Sequence, residues 1–234
     1  GHGDRVCELY DRERHWHLAN VMNSDPLTSQ GNFGSHYLWM LGYPDKAARL
    51  SQDKDDHARQ RNHPFDLGFA LGFGQAVFDY RVEPGPLLAQ VDEAERVCRE
   101  HRIPFLIAAT VQGTKGIARL RSGRASDSIV PLRNAIEAFS SIGHTLGTPY
   151  YRIALAEAIT CAGDPDDGLA LIEEILANNA RPGWEERTWL AETLRLKGWM
   201  LDQLGKFDEA EQTLRASIDV ARQQQAKSWE LRTS

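Results

Sequence analysis

Four short stretches, LGYPDKA from Leu41, SGRASDS from Ser122, AGDPDDG from Ala162 and LGKFDEA from Leu204, each carry a glycine at the second place. The glycines, Gly42, Gly123, Gly163 and Gly205, stand 81, 40 and 42 residues apart, the first gap being two periods. A second marker shares the period. His63-Pro64-Phe65, Ile103-Pro104-Phe105 and Thr148-Pro149-Tyr150 set a proline and an aromatic at the head of apolar-periodic stretches, with prolines 40 and 45 residues apart. Proline suits the first turn of a helix, where its missing N–H costs nothing. Glycine suits the left-handed residue that ends one. The implied unit is helix, tight turn, helix, recurring about every forty residues, which is the signature of a helical solenoid.

The expected pairs are 25–42 with 44–60, 64–80 with 84–101, 104–122 with 125–142, 149–162 with 165–179, and 184–204 with 207–225. A tail from Lys227 begins a further first helix, and 4–19 reads as the second helix of a preceding pair. Period-two alternation is absent over any useful length, so no strand is expected. Residues 1–3, GHG, read as an expression scar. From residue 4 the chain is expected to be one solenoid of about five pairs, a segment of a longer protein.

Composition narrows the function. The 234 residues carry a net charge of −6 with the signs interspersed, which suits neither nucleic acid nor an anionic membrane surface. Cys7, Cys98 and Cys161 are far apart with no CxxC, so no disulfide framework or zinc knuckle is indicated and a reducing cytoplasm fits best. No run of eighteen apolar residues is present, so no membrane span is expected.

Gly116 and Gly198 each precede a turn glycine by seven residues, and small Ser128 and Ala210 follow the turn glycines, then Leu132 and Leu214. Ala156, Gly163 and Gly168 repeat the arrangement. This pattern resembles tetratricopeptide repeats, which implies an all-α, right-handed α-solenoid in which the small residues let helices approach. The units run nearer forty than thirty-four residues, and the second replaces the turn glycine by YRVEPGPLL. More narrowly, the phrases YDRERHWHLA, WMLGYPDKA, NHPFDLGFAL, LAEAITCAG, RLKGWML and ARQQQAKSWELR resemble the C-terminal repeats of large bacterial signalling proteins. Those proteins join a class III adenylate or guanylate cyclase to an AAA-type, STAND-like ATPase. The resemblance implies a regulatory arm and supplies no catalytic residues.

Chemical motifs are otherwise sparse. The glycine-rich NHPFDLGFALGFG, residues 62–74, lacks the lysine, hydroxyl and preceding strand of a phosphate-binding loop. It reads instead as a helix-packing seam. His15 and His17 point about 200° apart on a helix and cannot share a metal. In GDPDDG the acids lack the spacing of a calcium loop, so Asp164 reads as a helix cap. DKDDH, Asp53 to His57, reads as a solvated helix face, and KGIARLRSGR from Lys115 as a mixed one. Cys161 has no evident base beside it. No catalytic residue, cofactor or metal is expected.

The expected function is therefore a protein-interaction or regulatory module holding a protein, a peptide or another domain of its own chain. A small-molecule sensor of the STAND type is the alternative, and an enzyme the least supported reading. Helical phase, taken from Gly116, Ala156 and Gly198, turns residues one, four or five positions later toward the concave side. The expected partner surface is Gln75, Asp79, Arg121, Glu157, Arg195, Trp199 and Asp202, with Trp199 as anchor.

Overall fold

The computed structural model describes residues 2–22, 24–143, 147–183 and 186–234. Its described residues form helices and turns and no strand, so the chain is an all-α helical-repeat protein. Contacts divide it into two compact units, Gly1–Ala118 and Arg119–Ser234.

The first unit begins with α1 (His2–Leu9), α2 (Arg12–His15) and α3 (Leu18–Met22), where one helix over 4–19 was expected. Asp11 causes the break. Its side chain caps a new helix by accepting from the Glu13 and Arg14 amides, and its own amide donates to His15 Nδ1. The GHG residues 2 and 3 lie within α1.

Next come the pairs. The helices α4 (Pro26–Met40) and α5 (Pro44–Arg61) are joined through Gly42 at φ 91°. The second pair's first helix is interrupted into α6 (Pro64–Phe73) and α7 (Ala76–Tyr80), followed by α8 (Pro84–Glu100). In place of a turn glycine this pair holds Val82 at φ 57°, an uncommon conformation for a β-branched residue. The third first helix starts as α9 (Pro104–Leu106), widens into a π-helical segment, Ile107–Val111, and continues as α10 (Gln112–Arg121). Ala58, Leu67, Ala70, Leu71, Val91, Ala94, Val97 and Val111 form an apolar core within this unit.

The second unit contains α11 (Ala125–Ser141), α12 (Thr148–Cys161), α13 (Pro165–Asn179), α14 (Leu190–Gln203), α15 (Phe207–Gln223) and α16 (Lys227–Thr233). Gly123, Gly163 and Gly205 end first helices at φ 74°, 107° and 74°, as the recurring marker predicts. Asp164 caps α13, accepting from the Asp167 amide at 3.3 Å. The start expected at 184 falls partly on residues outside those described, and α14 begins at Leu190. Close packing follows the small residues. A side chain on Gly198 would sit 2.6 Å from Leu214 Cγ, and one on Gly168 would sit 2.9 Å from the Ala156 carbonyl oxygen.

Candidate functional site

The glycine-rich stretch answers to its neighbours side chain by side chain. A Cβ on Gly68 would meet Cys98 Sγ at 2.9 Å and Leu106 at 3.1 Å, and one on Gly72 would meet Thr110 Oγ1 at 2.6 Å. Those two glycines are the packing seam. Gly74 has a different reason, because a Cβ there would lie 1.7 Å from Lys54 Nζ. The Lys54 ammonium is buried, donates to the Ala70 carbonyl at 2.7 Å and pairs with Asp55 at 2.8 Å. Gly74 N–H shares that same carbonyl at 3.1 Å, and the helix breaks directly afterwards.

DKDDH is thus not a solvated face. Lys54, Asp55 and His57 are 2%, 1% and 4% exposed, leaving only Asp53 and Asp56 outward. Burial presses the Lys54 pKa down and the Asp55 pKa up, each opposed by the other's charge. Gln90 donates to the second Asp55 oxygen.

A second buried polar group ties the N-terminal helices to the first pair. Asp25 accepts from Tyr10 Oη at 2.6 Å and from His57 Nε2 at 3.0 Å, and its Oδ2 lies 3.3 Å from Arg61 Nη1. Asp66 accepts from the Asp25 amide at 2.7 Å and from Thr28 Oγ1 at 2.9 Å. Trp16 covers the Arg61 guanidinium at 4.5 Å and meets His57 edge-on. Burial works to raise the Asp25 pKa, yet the hydrogen bonds from His57, Tyr10 and the Leu27 amide win and hold it below its ordinary value. Tyr10 is pushed up by burial and by the adjacent carboxylate. These groups bind one another in a packed interior, with His57 Nδ1, Arg61 Nε and Arg61 Nη1 making no hydrogen bond, and together they hold the N-terminal helices to the first pair.

The expected partner residues separate into two sets. Gln75 and Asp79, 1% and 3% exposed, lie inside the first unit, where Gln75 donates to Thr114 Oγ1. They are not surface residues, because residues 74–77, 79 and 80 are all buried and helical phase has no open side to select there. In the second unit Arg121, Glu157 and Arg195 come together. Arg121 Nη1 bonds Glu157 at 2.8 Å. Arg195 feels both of them and grips Glu192 through Nε at 2.8 Å and Nη2 at 2.9 Å. Arg232 reaches the same Glu192 at 3.3 Å.

The result is a ladder of alternating charge carried by α10, α12, α14 and α16, the first helices of successive pairs. Its side chains are half-buried, from 7% exposed at Glu192 to 28% at Arg232, so solvent screens it only in part. Trp199 is half-buried on α14. Asp202, one turn on, is exposed and lines an open groove along α15.

One feature escaped the phase argument. Phe33, Tyr37 and Leu41 run i, i+4, i+8 along α4 and are 37%, 52% and 42% exposed, with Tyr43 at 51% beyond them. The spacing was visible in the sequence, but it reads equally as a buried stripe. Among the described residues, no group of three His, Cys, Asp or Glu could hold a metal ion, and no helix is long and apolar enough to cross a membrane.

Comparison with known proteins agrees with this geometry where the repeat is most regular. No curated protein matches the chain. The tetratricopeptide-repeat family profile matches residues 149–174 and 189–216, which hold α12, most of α13, α14 and the first part of α15. In that part of the chain the helix pairs are similar to tetratricopeptide repeats.

Proposed function

We propose that the chain is a non-catalytic protein-interaction module whose partner surface lies on the first helices of the second unit, at Arg121, Glu157, Arg195, Trp199 and Asp202. The ladder of half-buried charge carries this reading. Charges kept at a helix face in both signs fix the register of a docking chain and reject mispaired ones, while a half-buried tryptophan offers contact area with few rotamers to freeze. The occupant is a protein or peptide segment, or another domain of the same chain. The tetratricopeptide match supports an interaction role over an enzymatic one.

We further infer a place in a bacterial cytoplasmic signalling protein, as the regulatory arm of an adenylate or guanylate cyclase or of a STAND-type ATPase. The ordered phrases from YDRERHWHLA to ARQQQAKSWELR support this. Reading the coding sequence upstream tests it, because a Walker motif or cyclase core is recognisable on sight and its absence removes the assignment.

The interaction role is tested by screening a peptide array against the purified protein and its Arg121→Glu, Arg195→Glu and Trp199→Ala variants. Bound sequences that lose affinity with the charge reversals, while the melting temperature holds, support the surface. Unchanged affinity for both reversals places the site elsewhere. Loss of melting temperature without loss of affinity in Trp199→Ala assigns that residue to packing.

A further inference from the structure

The face of α14 that belongs to the charge ladder changes sign along its length. Glu192, Arg195, Trp199 and Asp202 follow one another at i, i+3, i+7 and i+10, which sets all four on one side of the helix. Toward the N-terminal end the cations lie outermost. Glu192 is more deeply buried than either of its partners, Arg195 and Arg232. Both of its oxygens are engaged, Oε2 by Arg195 Nε at 2.8 Å and Oε1 by Arg195 Nη2 at 2.9 Å and by Arg232 at 3.3 Å. Two guanidiniums against one carboxylate leave a positive charge in excess, while the neighbouring pair of Arg121 with Glu157 is balanced. Arg195 Nη1 has no acceptor among the described residues, so its two N–H groups face outward for a ligand.

Seven residues on, about 10 Å along the axis, the sign reverses. Asp202 is exposed, and its carboxylate has no ion-pair partner among the described residues. The last turn of α14 holds no basic residue, so this carboxylate adds to the negative end of the helix dipole, an unfavourable placement that a cation from outside relieves. Between the two ends lies Trp199, half-buried and with no ring stacked on it among the described residues.

We propose that the occupant of this surface is an extended segment of a partner protein that reads acid, apolar, base at alternate residues. It lies along α14 with its side-chain carboxylate on Arg195, its apolar side chain on Trp199 and its cation at Asp202. The assignment rests on that face being a docking surface. Alternate residues of an extended chain share one side, and four steps of about 3.3 Å span roughly 13 Å, close enough to the separation of the two charged ends for glutamate and lysine side chains to close the difference. The reversal of sign is what selects such a segment. A wholly acidic one meets repulsion at Asp202, and a wholly basic one meets it at Arg195.

The probes are three short peptides with blocked termini and the same central leucine, flanked by glutamate and lysine, by two glutamates, or by two lysines. Fluorescence anisotropy is expected to show the mixed peptide binding the purified protein about tenfold more tightly than either of the others. Asp202 is exposed and unpaired, so Asp202→Lys keeps the melting temperature and is expected to hand the preference to the two-glutamate peptide. Asp92→Lys, an equal change of net charge at an exposed position on α8, is expected to leave the ranking as it was. An unchanged ranking in Asp202→Lys, a wild-type preference for either uniformly charged peptide, or binding of all three weaker than about 1 mM overturns the proposal. The docking surface survives those results if Arg121→Glu and Trp199→Ala still weaken whichever partner is bound. Binding that both of those variants leave unchanged places the site off this face and removes the proposal together with the docking reading.

Discussion

The two units handle charge in opposite ways. The first buries it: Asp25, Lys54, Asp55, His57, Arg61 and Asp66 are all at most 8% exposed, and the outer face of α4 shows Phe33, Tyr37 and Leu41. The second keeps an interior of Leu132, Phe139, Ile172, Leu196 and Met200 and sets the pairs Arg121–Glu157, Arg195–Glu192 and Arg232–Glu192 along the first-helix face. A repeat built on apolar and small residues tolerates exchange among them, so it stays recognisable, and the family match falls there. A buried polar network requires every member. The first unit has therefore left the common pattern for one particular arrangement.

The sharpest way to break the contrast is Asp25→Ala, which strands Arg61 and His57 in the interior and removes the acceptor of Tyr10. A loss of about 3–5 kcal/mol is expected. Urea unfolding followed by helical circular dichroism would then show the first unit melting ahead of the second. An unchanged transition would mean that the buried charges contribute little.

Gly74→Ala comes next. The new Cβ would lie 1.7 Å from Lys54 Nζ and 3.0 Å from the Ala70 carbonyl oxygen, so the buried ammonium must leave its bond to that carbonyl, at a cost of about 1–3 kcal/mol. The comparison is Gly123→Ala in the second unit, where nothing lies within 4 Å and only the φ of 74° resists. That strain is expected to cost about 1–2 kcal/mol. Lys54→Met should relieve the penalty at Gly74 and leave that at Gly123 untouched, which a double-mutant cycle reads directly.

Acid separates the units more gently. His36, half-buried and donating to the Phe73 carbonyl at 3.2 Å, has its pKa lowered to about 4 by burial and by the Lys54 charge. Above its ordinary value of 6.5 both folded and unfolded chains hold it neutral. Below that, the unfolded chain takes up a proton that the fold refuses, so stability falls as pH drops from 6.5 toward 4. With partial exposure allowed for, the loss is about 1 kcal/mol. His36→Gln should flatten this slope relative to the parent, and an identical slope would assign it to other groups.

The smallest effect belongs to the ladder. Arg121→Gln should cost under about 1 kcal/mol, since pairs reached by solvent contribute little. A loss above 2 kcal/mol would place the ladder with the buried network of the first unit.

These contrasts also mark what the residues disclosed on their own. Turn glycines and helix-opening prolines were legible because a positive φ and a missing N–H are local requirements, met or broken within a few residues. The ladder members Arg121, Glu157 and Arg195 were found by phase, because α10, α12 and α14 run unbroken where they sit. Gln75 and Asp79 were misplaced because the stretch that carries them is packed all round, Gln75 against Thr114 on another helix. The burial of DKDDH was hidden for the same reason, since its partners Asp25, Ala70 and Gln90 are distant in sequence.

The π-helical turn at Ile107–Val111 has a consequence for how the chain tolerates insertion and deletion. Each of its turns holds one residue more than an α-helix accommodates, with Thr110 seated against Gly72 and bonded back to the Leu106 carbonyl at 2.9 Å. Removing one residue there would restore regular winding without opening the helix. Because four α-helical residues turn the chain about as far as the five residues of this π turn, Pro104 and Phe105 would keep the side on which they now pack. A single codon lost at this point would leave both the face the helix presents and its length almost unaltered, whereas the same loss in α12 or α14 would rotate one part of a regular helix against the other by about 100°.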